Sequence, residues 1–406
     1  MMSNAHLPRE AGRSQGSVLV LGSSLTIMGS VMVAPIIPKL IAEFAASEPR
    51  VDVLAPLAIT GPALAIALFA PLAGWLADGF GRKLILIFAT LLYALLGAAP
   101  ALLNDLQSIV IARFLFGISE AMVMTCCTAL IADYWQGERR LRYINAQVIS
   151  IALVGSVFFV IGGALGEQSW RTPFYLYLLP LLLVIPMMKL LWEPVSRSEQ
   201  GVEPDNKRID VVALVVGYLL IFGGMVLSFV VPVQTPRLMV QLGIMSSTLI
   251  GMATGAGLLA SLMGALVWPL IRRTIGIKCT NALLLVFMSS GLMLLINAGS
   301  LTGILVAVVI HGLGAGLLVP NAITPVMNAL NKRQNGRGMG GFTSCLYLGQ
   351  FVSPLCVALL ISLTGALTHA IAMLAVIGFG LGAVWLIYAL FAKQSGTSPL
   401  TTTAHK

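Results

Sequence analysis

The sequence predicts an all-α membrane protein of twelve transmembrane helices arranged as two six-helix repeats. Three observations carry this. First, 58% of the 406 residues are apolar and 10% are charged, with a mean hydropathy of +0.95; a soluble domain is about one-quarter charged. With 24 Lys and Arg and 15 Asp and Glu, the chain cannot cover a water-facing surface of this size. A large soluble domain, a disordered chain and a disulfide-rich secreted scaffold are thereby excluded. Second, the apolar residues fall into segments of bilayer-spanning length. Third, a single offset relates the two halves.

A helix needs about 20 residues to cross a bilayer. Segments of that order read at 17–41, 53–77, 83–103, 106–131, 143–166 and 173–192, then at 211–233, 244–271, 280–298, 302–328, 340–364 and 368–392. Their length and unbroken hydrophobicity exclude barrel strands, which alternate over about 9 to 11 residues. The first span is too long for a signal-peptide core and is expected to stay as a permanent helix.

The connections fix the expected orientation. With the N-terminus placed in the cytoplasm, nineteen of the 24 Lys and Arg fall on the cytoplasmic side, among them Arg82, Lys83, Arg139, Arg140, Arg142, Arg272, Arg273, Lys278, Lys332, Arg333 and Arg337. Lys39, Arg50, Arg171 and Arg237 fall on the other side, and Arg113 lies inside a span. This asymmetry predicts a multi-pass protein of the cell inner membrane with both termini cytoplasmic. The net charge of +9 is then mainly a topology signal. A nucleic-acid partner would need a soluble basic module with aromatics, which the chain lacks.

The expected organisation is a cytoplasmic tail at 1–16, a six-helix bundle at 17–192, a hydrophilic linker at 193–210, a second bundle at 211–392 and a cytoplasmic tail at 393–406. Sliding the first half by 195 residues puts Gly81 on Gly276, Lys83 on Lys278, Gly117 on Gly312 and Arg142 on Arg337. Such symmetry is expected of secondary transporters, whose site lies between the halves near the membrane midplane. The five cysteines, Cys126, Cys127, Cys279, Cys345 and Cys356, form no CxxC pair, and no metal or cofactor is expected. The chain has no phosphate-binding GxxxxGK[ST] loop and no HExxH, so neither an ATP-driven pump nor an enzyme is expected.

After the second span the chain reads Gly74-Trp-Leu-Ala-Asp78-Gly-Phe-Gly81-Arg82-Lys83, which resembles the GxLaDxxGRK loop of the major facilitator superfamily. Arg113-Phe-Leu-Phe-Gly117 in span four and Trp170-Arg171-Thr-Pro173-Phe174 before span six resemble further elements of that superfamily. The resemblance covers the whole chain and implies a transporter that alternates access between two bundles. It also implies a gate in which Asp78 meets the start of span eleven, around Asn335 to Gly341. Helix N-terminal amides there would favour a carboxylate by about 0.3 to 2 kcal/mol. Gly74, Gly81, Arg82 and Lys83 complete the gate motif; the alternative is a plain tight turn that carries a topology signal.

Span four holds the informative charges. Arg113 and Glu120 are seven residues apart, hence on nearly one helix face and about 10.5 Å apart along the axis. Ionisable groups in a span normally face a cavity and mark substrate or proton pathways. Glu120 is the candidate for proton coupling, and Arg113 either sets its proton affinity or meets the substrate. The alternative is a structural pair that fixes helix packing. Gly117-Ile-Ser-Glu120-Ala121 resembles a GxxEA stretch of superfamily branches that carry organic anions or lysolipids. In span five, Val154-Gly155-Ser-Val-Phe158-Phe159-Val-Ile-Gly162-Gly163 keeps only the last two glycines of the drug:proton antiporter pattern GxxxGPxxGG.

His311 in span ten is a second proton candidate, or a packing histidine. Gln147, Asn321, Asn328, Tyr347, Gln350 and Phe351 are candidates for lining the pathway, or for interhelical hydrogen bonding. The expected function is proton-coupled movement of small organic molecules, with export of drugs or metabolites favoured. Proton-linked uptake or uniport of a small organic solute or anion is the alternative. The expected partners are a small-molecule substrate, protons and the lipid bilayer, and the expected state is a monomer.

Overall fold

The computed structural model describes residues 10–194, 209–331 and 334–395, and these form α-helices joined by short turns and 3-10 segments. Most of the predicted linker, both chain ends, Lys332 and Arg333 lie outside the described residues. Among the described residues, eleven helical stretches are long and apolar enough to cross a bilayer. The first comprises α1 (Arg13–Val31), a 3-10 turn at Ala34–Ile36 and α2 (Ile37–Phe44). It was expected as one helix. Pro35 and Pro38 each remove an amide from the helical ladder, so the chain breaks at Met32 and restarts.

Then follow α3 (Val51–Phe80), α4 (Arg82–Ala98), α5 (Leu106–Tyr134) and α6 (Gly137–Gly166). The sixth stretch is a 3-10 segment, Thr172–Leu178, with α7 (Leu181–Leu190). The second half contains α8 (Val211–Gln241), α9 (Ser247–Ile296), α10 (Leu301–Ala329), α11 (Asn335–Thr364) and α12 (Leu367–Ser395).

At 50 residues α9 would be about 75 Å long, more than twice the thickness of a bilayer core. Gly276 breaks it at φ 78°, ψ 170°, a backbone conformation open essentially only to glycine. Two passes therefore turn on a single residue where the sequence predicts a short loop, and the described residues make twelve passes. Gly81, its partner in the repeat, makes the α3–α4 turn at φ 96°. The repeat also extends to contacts. A Cβ on Gly117 would sit 2.5 Å from Pro62 Cα, and one on Gly312 would run into the carbonyl of Gly257. Pro62 and Gly257 are themselves related by the 195-residue offset.

Buried apolar side chains gather into two main cores. One is built from Met28, Ile59, Tyr93, Phe116, Phe174 and their neighbours in the first half; the other is built from Ile221, Met288, Leu318, Phe342, Ile371 and theirs in the second. Between the halves α6 and α9 touch backbone to backbone. A Cβ on Gly163 would run into the Ser247 carbonyl, and one on Gly251 into the Phe159 carbonyl. Small residues permit this approach. We call the end of the bundle that carries Arg82, Arg139 and Arg272 the basic end.

Candidate functional site

Asp105 caps α5, its carboxylate accepting the Ser108 amide at 2.7 Å. The helix then carries Arg113, Phe116, Gly117, Glu120 and Met124 at spacings of three, four and seven that keep them on one side.

Arg113 is 0% exposed, and its partners follow from breaks in other helices. Its Nε donates to the Ala58 carbonyl at 2.9 Å. The helical donor to that carbonyl would be residue 62, which is proline and has no N–H. Its Nη2 donates to the Gly29 carbonyl, one of the last four of α1 and so without a partner inside the helix. The guanidinium carbon lies 4.4 Å from the Phe116 ring centroid and 5.4 Å from that of Tyr177. Tyr177 donates to the Met28 carbonyl at 2.8 Å, and Tyr93 donates to that of Leu25. A cation and two phenols thus hold the carbonyls around the end of α1.

Glu120, 3% exposed, packs its carboxylate against the same residue: a Cβ on Gly29 would lie 2.9 Å from Glu120 Oε2. Arg113 and Glu120 share a side of α5, as their spacing predicts. No ion pair joins them among the described residues, and Arg113 Nη1 has no hydrogen-bond partner. Gly29, Tyr93 and Tyr177 were not singled out from the sequence, where nothing distinguishes them from ordinary packing residues.

His311 is buried, with Nδ1 2.9 Å from the Met288 carbonyl oxygen and Nε2 3.4 Å from that of Ser228. Ser228 precedes Pro232 by four, so its carbonyl is again left open by a proline. A neutral imidazole has one N–H and can donate to only one of the two carbonyls; the imidazolium can donate to both. His311 also lines a cavity of about 120 Å³ between the halves, with Ser30, Phe159, Ser228, Thr254 and Ser261. Gly29 against Glu120 and Ser30 on this cavity are consecutive residues of α1, so the two candidates flank one strip of backbone.

The loop at the basic end is anchored in its own half. Asp78 Oδ1 accepts from Arg82 Nη2 at 2.8 Å, and Arg82 also pairs with Asp133 of α5. The Glu193 carboxylate accepts the amides of Arg82 at 2.7 Å and Lys83 at 2.9 Å, at the start of α4. Lys83 Nζ donates to the Met188 carbonyl at 2.8 Å, and Gly74 lies beside Thr125. The side chain of Asp78 is 65% exposed, and its hydrogen bonds among the described residues are with Arg82, not with the start of α11. Asp133 and Glu193 were missed; the available signal was an acid at the end of spans four and six, on the side of the basic loop.

The remaining candidates separate. Tyr347 donates to Met124 Sδ at 3.2 Å across the halves. Near it, Ser344 Oγ donates to the Ala67 carbonyl at 2.9 Å, a third carbonyl deprived of its helical donor, here by Pro71. Gln147 donates to Ser23 Oγ within the first half. Asn321 is fully buried: it donates to Asn281 Oδ1 at 2.6 Å and the Ile277 carbonyl at 3.1 Å, and accepts from Trp268 at 3.1 Å. In this conformation it therefore braces the α9 break at Gly276 and does not line an open pathway. Gln350 and Phe351 are partly buried on α11, and Asn328 is exposed on the last turn of α10.

The family model of the Major Facilitator Superfamily matches residues 19–354. The chain is similar to Quinolone resistance protein NorA of Staphylococcus aureus, 26% identical over 218 residues, 51% of this chain and 54% of that protein. It thus spans about half the length of that relative. It is also similar to Multidrug resistance protein 1 of Bacillus subtilis, 23% identical over 352 residues, 84% of this chain and 87% of that protein. Among solved structures, a POT family transporter in complex with 5-aminolevulinic acid shares the fold, with a TM-score of 0.75 at 12% identity over 93% of this chain and 96% of that one.

Proposed function

Because the chain belongs to the major facilitator superfamily, we propose that it is a proton-coupled secondary transporter that exports small organic compounds by alternating access. The bundles at 17–192 and 211–392 rock about the site between them, joined by the linker at 193–210. The basic end faces the cytoplasm and both termini lie there, in the inner membrane of the cell, and the working unit is a monomer. The resistance proteins among its relatives support export and a drug-like or metabolite substrate.

The observation that carries the reading is Glu120: a carboxyl group almost fully buried in a span, free of an ion pair among the described residues, beside the break in α1. Burial disfavours the charge of a carboxyl group, and access from water favours it. A change of access at Glu120 therefore takes up or releases a proton. One proton moving down about 100 mV supplies about 2.3 kcal/mol, enough for roughly a 45-fold gradient of a neutral solute. His311, buried between the Met288 and Ser228 carbonyls, is the second proton site in this reading.

Everted vesicles and proteoliposomes test it. Glu120→Gln is expected to abolish substrate-driven proton movement and to leave downhill exchange; undiminished proton movement overturns the assignment. A second reading, carriage of an organic anion by uptake or uniport, is favoured by one observation: Arg113 Nη1 is buried without a hydrogen-bond partner and could receive a carboxylate. Counterflow of labelled organic anions against labelled cations separates the two.

A further inference from the structure

At the end away from the basic loops, Lys39 donates to the carbonyls of Gly166 and Glu167, each at 2.6 Å. These close α6, where the partial charge of the helix is negative. The side chain of Glu167 crosses to the other half. Its Oε1 accepts from Ser246 Oγ at 2.6 Å and from the Thr248 amide at 2.9 Å, at the start of α9, where the partial charge is positive. Directly below, the glycine-lined contact of α6 with α9 leaves the two backbones touching. Arg237 of α8 adds a second strut to Asp52 of α3 at 2.6 Å. By contrast, the ion pairs of the Asp78 loop at the basic end stay within the first half.

We propose that Glu167, held by Lys39, is a positioning residue of the transport cycle: its contact with the start of α9 is a clasp that sets how readily this end of the protein opens. The clasp rests on the alternating-access reading above but acts apart from the proton and substrate groups. No solute or proton needs to bind at Glu167. What the clasp controls is the balance between the conformation described here, closed at this end, and one in which α6 and α9 part. Ser246 and the Thr248 amide supply hydrogen bonds to a charged acceptor, and Lys39 lies 3.9 Å from the carboxylate. Their loss is expected to shift the balance by roughly three- to tenfold, since such contacts at a surface are partly screened.

Spin labels on Ala46→Cys and Met245→Cys, both exposed at this end on opposite halves, report the separation directly. The background is full-length protein in lipid nanodiscs with the five native cysteines replaced by serine or alanine. The parent is expected to show a dominant short distance. Glu167→Gln is expected to add a longer one, Glu167→Ala more of it, and Ser246→Ala less. A residue that only caps α9 would lower thermal stability in these variants and leave the distances unchanged. Unchanged distances in both Glu167 variants overturn the proposal. The measurement needs neither substrate nor proton gradient. Loss of the Glu120 assignment with widened distances here would therefore discard the coupling reading and retain the clasp.

Discussion

Arg113 and Glu120 stand seven residues apart on α5 and meet α1 at the same residue, Gly29, without forming an ion pair. The guanidinium is committed to two carbonyls, one freed by Pro62 and one by the end of α1. Removing the cation is therefore expected to cost more than removing the acid. Arg113→Met leaves the Ala58 carbonyl unmet, at about 1 to 3 kcal/mol, and leaves the Gly29 carbonyl only the Tyr177 hydroxyl at 3.2 Å. Glu120→Gln keeps the shape and breaks no ion pair. Thermal unfolding in detergent is expected to show a fall of several degrees for Arg113→Met and little change for Glu120→Gln. Equal losses would mean that the two do act as a pair.

Gly29→Ala places a methyl group 2.9 Å from Glu120 Oε2 and 3.1 Å from Phe116 Cε1. Overpacking of this kind typically costs about 1 to 3 kcal/mol. The carboxylate is the softer neighbour, so shortening it should relieve the strain. Glu120→Asp in the Gly29→Ala background is expected to recover much of the lost thermal stability; no recovery would place the strain on Phe116.

Ser344 Oγ meets the Ala67 carbonyl because Pro71 supplies no helical donor. Ser344→Ala alone is expected to cost about 1 kcal/mol. In a Pro71→Ala background the helix regains its own amide at that point and the same substitution should be nearly neutral. A double-mutant cycle on unfolding free energies checks this, and additive effects would dissociate the serine from the proline.

Burial alone would raise the Glu167 carboxyl. The hydrogen bonds from Ser246 and Thr248, then the Lys39 charge, overcome this and hold it down at about 2, below the ordinary 4.5. A lowered value means that the clasp is at full strength above the ordinary value and is lost as the pH falls towards about 2. The short distance between labels at positions 46 and 245 is thus expected to persist from pH 8 to pH 5 and to weaken only in stronger acid. Loss of it between pH 8 and pH 6 would mean that another group governs this end.

Gly81 and Gly276 show how far a single chain can be read. Their shared offset was legible in the sequence, and both have positive φ. That Gly276 turns two passes without any loop was not legible, because the apolar runs on either side look alike whether a loop or one residue joins them. Asp133 and Glu193 illustrate the same limit for the basic loop. Both are visible as acids near span ends, but only packing brings Asp133 to the guanidinium of Arg82 and Glu193 to the amides of Arg82 and Lys83.

The sequence by itself determined the number of passes, the two-fold repeat, the distribution of basic residues between loops and the shared helix face of Arg113 and Glu120. These depend on hydrophobicity, helix period and charge placement, which are properties of short stretches of chain. That Pro62, Pro71 and Pro232 carry no amide to give the carbonyls of Ala58, Ala67 and Ser228 is likewise a property of the residue itself. Only the tertiary structure decided that Arg113, Ser344 and His311 answer those carbonyls, that Glu120 packs beside Gly29 without an ion pair, and that Glu167 reaches the start of α9. Each of those contacts joins helices far apart in sequence, and which side chain arrives is settled by how closely the helices pack.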